Sequence, residues 1–212
     1  MKKVVKFLII IAILVIISVI IIKIVKKNDK LIVCIDAGHG GTDAGAVLNN
    51  RYEKDDTLRI AKLVKKYLET QDIDVIMTRN EDKKVDLKER CNIANKKKAD
   101  LFVSIHRNSA KVGNGIEIWC SSHKKNNDTI LAESILRKLQ NTEIQNNRGI
   151  KYGTIKGKDT DYYVLNNTKM PSCLIELGFI TDEKDNELLD KNIESYAKAI
   201  ADGIIEKIKD KD

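Results

Sequence analysis

The sequence predicts an α/β fold: three layers, with a mostly parallel six-stranded twisted sheet and helices on both faces, preceded by one N-terminal transmembrane helix. Three observations lead there. Short apolar runs alternate with segments of helical period from Leu31 onward. Residues 7–22 form an unbroken apolar run whose only polar member is Ser18. The excess of basic residues sits at the ends of that run. The chain has 212 residues and a formal net charge of +7, yet residues 1–30 hold seven lysines (Lys2, Lys3, Lys6, Lys23, Lys26, Lys27, Lys30) and one acid, Asp29. The rest carries a net charge of only +1. A nucleic-acid partner is therefore not expected, because its basic surface would be spread over a domain face.

The N-terminal run covers roughly 24 Å as a helix at about 1.5 Å per residue. Val4, Val5, Ile24 and Val25 extend it toward the roughly 30 Å of a bilayer core. A cleaved signal peptide ends its apolar core at small residues. Here the run ends in IIIKIVKK, so the expectation is an uncleaved anchor through residues 4–25. The lysines nearly balance across it, and the positive-inside rule does not set its orientation. Residues 1–30 are read as anchor and basic linker, and residues 31–212 as one domain.

Within that domain LIVCIDA (31–37) reads as a buried strand. Lys54–Thr70 is an amphipathic helix with Ile60, Val64 and Tyr67 on one face. DVIMT (74–78) is a second strand, and Leu87, Cys91 and Ala94 mark a second helix. DLFVSIH (100–106) and GIEIWCS (115–121) are further strands. Leu131, Ile135 and Leu139 give a helix with Asp128 as N-cap. YYVL (162–165) is a short strand or a loop, and CLIELGF (173–179) a buried strand. Ile193, Tyr196, Ala197, Ile200, Ile204 and Ile208 form a final helix.

In such folds active groups collect at the carboxyl ends of strands, where the unusual residues fall. His39 follows strand 31–37 in a glycine-rich turn, IDAGHGGTDAGA (35–46). His106 ends strand 100–106, Glu176 lies late in strand 173–179, and Glu53 precedes the first helix. The turn lacks the spacing of a P-loop or dinucleotide fingerprint. Two histidines and a carboxylate bind zinc while leaving a fourth position, the pattern of a catalytic site. A carboxylate in a partly apolar setting, such as Glu176, suits proton transfer. Each residue alone also has a plain structural reading: a hydrogen-bonded surface histidine, a first-turn acid, a buried ion pair. His123, in SSHKKNND, reads as a solvated loop residue.

Taken together, IDAGHGGTDAGA, Tyr52-Glu53-Lys54-Asp55, MTR (77–79), DLKERCNIAN (86–95), ADLFVSIHRN (99–108), GIEIW (115–119) and LIELGFIT (174–181) resemble, in that order, the zinc-dependent N-acetylmuramoyl-L-alanine amidases of the amidase-3 family. The resemblance implies Zn2+ bound by His39, Glu53 and His106, with Glu176 as catalytic acid/base. It implies a peptidoglycan substrate cleaved at the amide between N-acetylmuramic acid and L-alanine. Because that substrate lies outside the cytoplasmic membrane, the anchor is expected with its N-terminus inside. An anchored single domain without wall-binding repeats is similar to germination-specific amidases, which strip stem peptides in the spore cortex for muramic-δ-lactam formation. Some relatives of this kind require activators, and three ligands on separate loops fit an activating protein partner. Two other readings stay open: a wall-binding module with a structural metal, and a zinc amidohydrolase of another wall amide.

Two positions depart from the family pattern. Ala37 stands where proline is common, and Arg107 where a small residue is; Arg107 is read as solvent-facing, as a contact to an acidic substrate group, or as a neighbour that shifts metal affinity. The stretch before Arg148 is too short for an occluding insertion, so an open groove is expected. Cys34, Cys91, Cys120 and Cys173 read as buried hydrophobes, with Cys34 and Cys173 the pair to examine for a disulfide.

Overall fold

The computed structural model describes residues 5, 7–9, 11–18, 30–123, 126–154 and 161–209. Its contacts divide into two units, Met1–Leu31 and Ile32–Asp212. In the first, residues 5, 7–9 and 11–18 are helical, with apolar side chains such as Phe7, Leu14 and Ile16 exposed. The remainder of the expected anchor and its linker lies outside the described residues. Among those described, no helix is long and apolar enough to cross a membrane.

The second unit is built on eight strands: β1 (Ile32–Ala37), β2 (Val47–Leu48), β3 (Arg51–Tyr52), β4 (Asp74–Met77), β5 (Leu101–Asn108), β6 (Ile116–Cys120), β7 (Asn147–Tyr152) and β8 (Ser172–Phe179). Its helices are α1 (Glu53–Glu69), α2 (Leu87–Lys96), α3 (Asn126–Gln140), α4 (Tyr163–Asn167) and α5 (Glu183–Lys209). Six strands form one sheet in the order β4-β1-β5-β8-β6-β7, parallel except between β6 and β8. β2 and β3 make a separate hairpin.

Strand alternation sorts the core into two layers. Val33, Ile35, Val103, Ile105, Cys173 and Ile175 face α1, α3 and α5, which contribute Ile60, Val64, Leu131, Ile135, Ala197 and Ile200. Cys34, Phe102, Leu174 and Trp119 face the other way, toward Cys91 and Ala94 of α2 and Val164 and Leu165 of α4. Among the described residues, two short helices cover this second layer. His106, Glu176 and Glu117 are cross-strand partners on its side of the sheet.

Several expectations are corrected. YYVL is neither strand nor loop: Tyr163–Asn167 is a helix that buries Val164 and Leu165. The sixth sheet strand is instead Asn147–Tyr152, a half-buried edge strand with too little apolar alternation to register as one. Asp128 does not cap α3. It lies within the first turn, buried, and Oδ1 accepts a hydrogen bond from the Ser172 backbone N–H at 3.1 Å. α5 begins ten residues before Ile193, with non-helical angles at Asn192. Cys34 and Cys173 are free, as are Cys91 and Cys120. They belong to opposite layers, and β5 separates their strands. Burial pushes the thiols up, Cys91 to about 11 and Cys120 to about 12, so they stay protonated and inert.

α3 and α5 cross at Gly203, where a Cβ would lie 2.5 Å from the Cα of Ile135. Gly203→Ala is expected to force the helices apart and to cost about 1–3 kcal/mol, measured by urea unfolding. An unchanged midpoint would mean that the crossing is loose.

Candidate metal centre

Glu53 is the hub of the site. The two-residue turn Asn49-Asn50 has positive φ at both positions, 47° and 63°, which matches a tight hairpin turn. The hairpin ends directly in α1, and the Glu53 N–H donates to Ala46 O at 3.0 Å. Glu53 therefore starts the helix with its carboxylate turned into the fold, 4% exposed. Oε1 lies 3.1 Å from His39 Nε2 and 2.9 Å from His106 Nδ1, and it accepts the Arg107 backbone N–H at 3.0 Å. Oε2 accepts the Ala46 N–H at 2.9 Å. Burial opposes ionisation here, but the two imidazoles outweigh it and hold the carboxyl well below the usual carboxylate range.

The two histidine rings stand edge to face with centroids 4.9 Å apart. One ligand atom from each of His39, Glu53 and His106 lies within 4.8 Å of the others. Three residues predicted separately thus converge on one point. His39 has φ +59°, a left-handed conformation costly for a residue with a Cβ. Its Nδ1 is 2.9 Å from Asp43 Oδ1, which leaves Nε2 facing Glu53. A carboxylate on the outer nitrogen is the usual orienting partner of a ligating histidine. Burial works against protonation of His39, yet Glu53 and Asp43 keep its pKa above the ordinary imidazole value.

Two glycines leave room for this packing. A Cβ at Gly38 would lie 2.4 Å from His106 Cε1, and one at Gly45 would lie 2.6 Å from Glu53 Oε2. The turn is also clamped from beneath by two buried arginines whose roles were not read from the motifs that contain them. Arg79 donates to Ala37 O, Gly38 O and Lys54 O. Arg90 donates to Ala37 O and His39 O and pairs with Asp36 at 2.7 Å. Asp36 also accepts from Thr78 and Ser104. Burial acts against its charge, but Arg90 and these hydroxyls hold its pKa below the ordinary value.

Glu176 pairs across the sheet with His106 on one side and Glu117 on the other. It is 7% exposed, and Oε2 has no hydrogen-bond partner among the described residues. Burial, then the charges of Glu53 and Glu117, raise its pKa well above the ordinary carboxylate value. Glu117, also unassigned from the sequence, is fixed as an acceptor by Asn108, Trp119 and Arg148. Arg107 is neither solvent-facing nor placed to meet substrate. Strand alternation turns it to the opposite side from His106, where it is buried and pairs with Asp56 at 2.6 Å and Asn186 at 2.7 Å. His123 is exposed, as expected. Among the described residues, α3 is the only regular element between β6 and β7, so no further helix or strand there lies over the site. A cavity of ≈ 200 Å³ adjoins the cluster, lined by His39, Asp43, His106, Tyr162 and Tyr163 among others.

This constellation has known relatives. A family model described as N-acetylmuramoyl-L-alanine amidase matches residues 33–206, and the chain belongs to that family. It is 35% identical over 178 residues to the N-acetylmuramoyl-L-alanine amidase LytC of Bacillus subtilis, which is 82% of this chain but 34% of LytC. The chain therefore spans about a third of that relative's length. The solved structure of the N-acetylmuramoyl-L-alanine amidase AmiC2 of Nostoc punctiforme matches with a TM-score of 0.75 at 36% identity, covering 84% of this chain and 97% of that one. The CwlD amidase of Clostridioides difficile, solved in complex with the GerS lipoprotein, matches with a TM-score of 0.77 at 30% identity, covering 85% and 99%.

Replacing Arg90 by Met leaves Asp36 as an uncompensated buried charge and is expected to cost about 3–5 kcal/mol. Because the folded-state pKa of Asp36 is depressed, its contribution is complete above its unfolded value of about 3.9 and is lost as pH falls through the lower folded value. The stability gap between wild type and Arg90→Met should therefore narrow on acidification. A gap that is constant from neutral to acid pH in chemical denaturation would refute this assignment.

Proposed function

We propose that the chain is a zinc-dependent N-acetylmuramoyl-L-alanine amidase that removes stem peptides from peptidoglycan outside the cytoplasmic membrane. His39, Glu53 and His106 hold the ion, Glu176 moves the proton, and residues 4–25 anchor the domain. The observation that carries this reading is the convergence of two imidazoles and one carboxylate beside a buried carboxyl with an unpartnered oxygen. The donor set fits zinc: imidazole nitrogen and carboxylate oxygen are ordinary ligands, and three protein ligands leave a position free. No cysteine competes, since all four are buried and protonated.

When bound, zinc polarises the scissile carbonyl and makes water acidic enough to attack near neutral pH. Glu176 accepts the proton of the attacking water and delivers it to the amide nitrogen as the C–N bond breaks. Its buried Oε2, unpartnered among the described residues, offers a place for that proton between the two transfers. Asp43 fixes the His39 ring, while Arg79 and Arg90 hold the turn that carries it.

A spore-cortex role and an activating partner are supported by the likeness to CwlD, itself solved with a lipoprotein. The ligands come from a turn, a helix start and a strand, so ordering of the turn by a partner fits an activator. Glu176→Gln is expected to retain zinc in equal stoichiometry while peptide release from muropeptides, followed by mass spectrometry, falls at least about 10²-fold. His106→Ala is expected to lose the metal. Wild-type turnover by Glu176→Gln, or release of acetate in place of peptide, would overturn the proposal.

A further inference from the structure

A second cavity, ≈ 280 Å³, is lined by Asn108, Glu117, Trp119, Arg148, Lys151 and Phe179 among others, and of these Glu117 stands across Glu176 from His106 in the sheet. It adjoins the reacting centre through the ladder, since Glu117 is the cross-strand partner of Glu176. Asn108, two residues beyond His106, lies on the same strand.

Its charges differ from those of the first cavity. There, Asp36 and Arg90 neutralise each other, and Asp43 and Asp86 outnumber Lys84. In the second, Arg148 and Lys151 outnumber Glu117. Arg148 spends only its Nε on Glu117, at 2.7 Å, and its terminal nitrogens donate to no described residue. The guanidinium lies 5.0 Å from the Phe179 ring centroid, which holds its plane in place. Lys151 pairs in the ladder with Trp119 and forms no ion pair with any described residue. Trp119 itself is fixed, its indole N–H bonded to Glu117 and its ring packed edge to face on Tyr162 at 5.6 Å. A planar cation with unused donors beside a second cation, above an aromatic floor, is a carboxylate receptor.

We propose that this cavity binds the leaving peptide through its acidic second residue, Arg148 and Lys151 engaging the free carboxylate one residue beyond the scissile alanine. The inference rests on the amidase reading, which places a peptide on one side of the cleaved amide and a sugar on the other. The first cavity, aromatic and with more acids than cations in its lining, then takes the sugar. Arg148 and Lys151 are specificity-determining groups, so a stem peptide whose second residue is amidated is a poorer ligand.

Trp119 is the only tryptophan in the chain, and its fluorescence reports on the cavity directly. The full-length protein is titrated with N-acetyl-L-alanyl-γ-D-glutamyl methylamide, which keeps the free carboxylate, and with its isoglutamine analogue, which does not. Equilibrium dialysis checks the same affinities. The wild type is expected to bind the acid at least tenfold more tightly. Arg148→Gln should abolish the preference, Arg148→Lys should restore part of it, and Lys151→Gln, an edge-strand change that breaks no ion pair with a described residue, should weaken it severalfold. Equal affinity for the two probes, no binding of either at millimolar concentration, or a preference that survives both glutamine variants overturns the proposal. The amidase reading fails separately: charge-selective binding without hydrolysis of muropeptides sinks the enzyme and leaves the receptor, and hydrolysis with equal affinities does the reverse.

Discussion

One buried carboxylate organises this domain. Glu53 faces two imidazoles and two backbone N–H groups contributed by two stretches of chain, around residues 39–46 and 106–107. An ionised group at this depth is tolerable only when every lone pair is met. The positions of β1, β5 and the hairpin are therefore tied to one another through it. The left-handed backbone of His39, the two glycines without room for a Cβ, and the arginine clamp beneath the turn all serve that convergence.

The sheet supplies the frame. Its thick face, covered by α1, α3 and α5, carries most of the apolar packing. The thin face, under α2 and α4, leaves the ends of β5, β8 and β6 accessible, and there His106, Glu176 and Glu117 form a row. The same alternation explains Arg107. One residue from a metal-ligand position, it turns into the thick face and pairs with Asp56 and Asn186, joining α1 and α5 to the strand that bears His106. Arg148 and Lys151 stand past the other end of the row, on the edge strand.

Much of this was legible in the sequence because it rests on period. The five apolar strands and the long amphipathic helices announce themselves by alternation and by 3.6-residue spacing. His39, Glu53, His106 and Glu176 stood out because ordered motifs surround them. What stayed hidden has no local signature. β7 is half polar, α4 is a single short turn of helix, and the Asn49-Asn50 hairpin is four paired residues long. The Asp36–Arg90 pair joins residues 54 apart, and no window of sequence displays such a contact. Arg107 differs from its expectation for another reason: its direction follows from the alternation of the strand that places His106, which turns neighbouring side chains to opposite faces.

The central claim is that three residues share one ion. X-ray absorption at the zinc edge of the zinc-loaded full-length protein tests it most directly. The account predicts a shell of nitrogen and oxygen at about 2.0–2.1 Å with imidazole scattering from two rings, a shell that His106→Ala, which does not retain the ion, fails to give. Sulfur at about 2.3 Å, or a spectrum unchanged by that substitution, would place the metal elsewhere and contradict it.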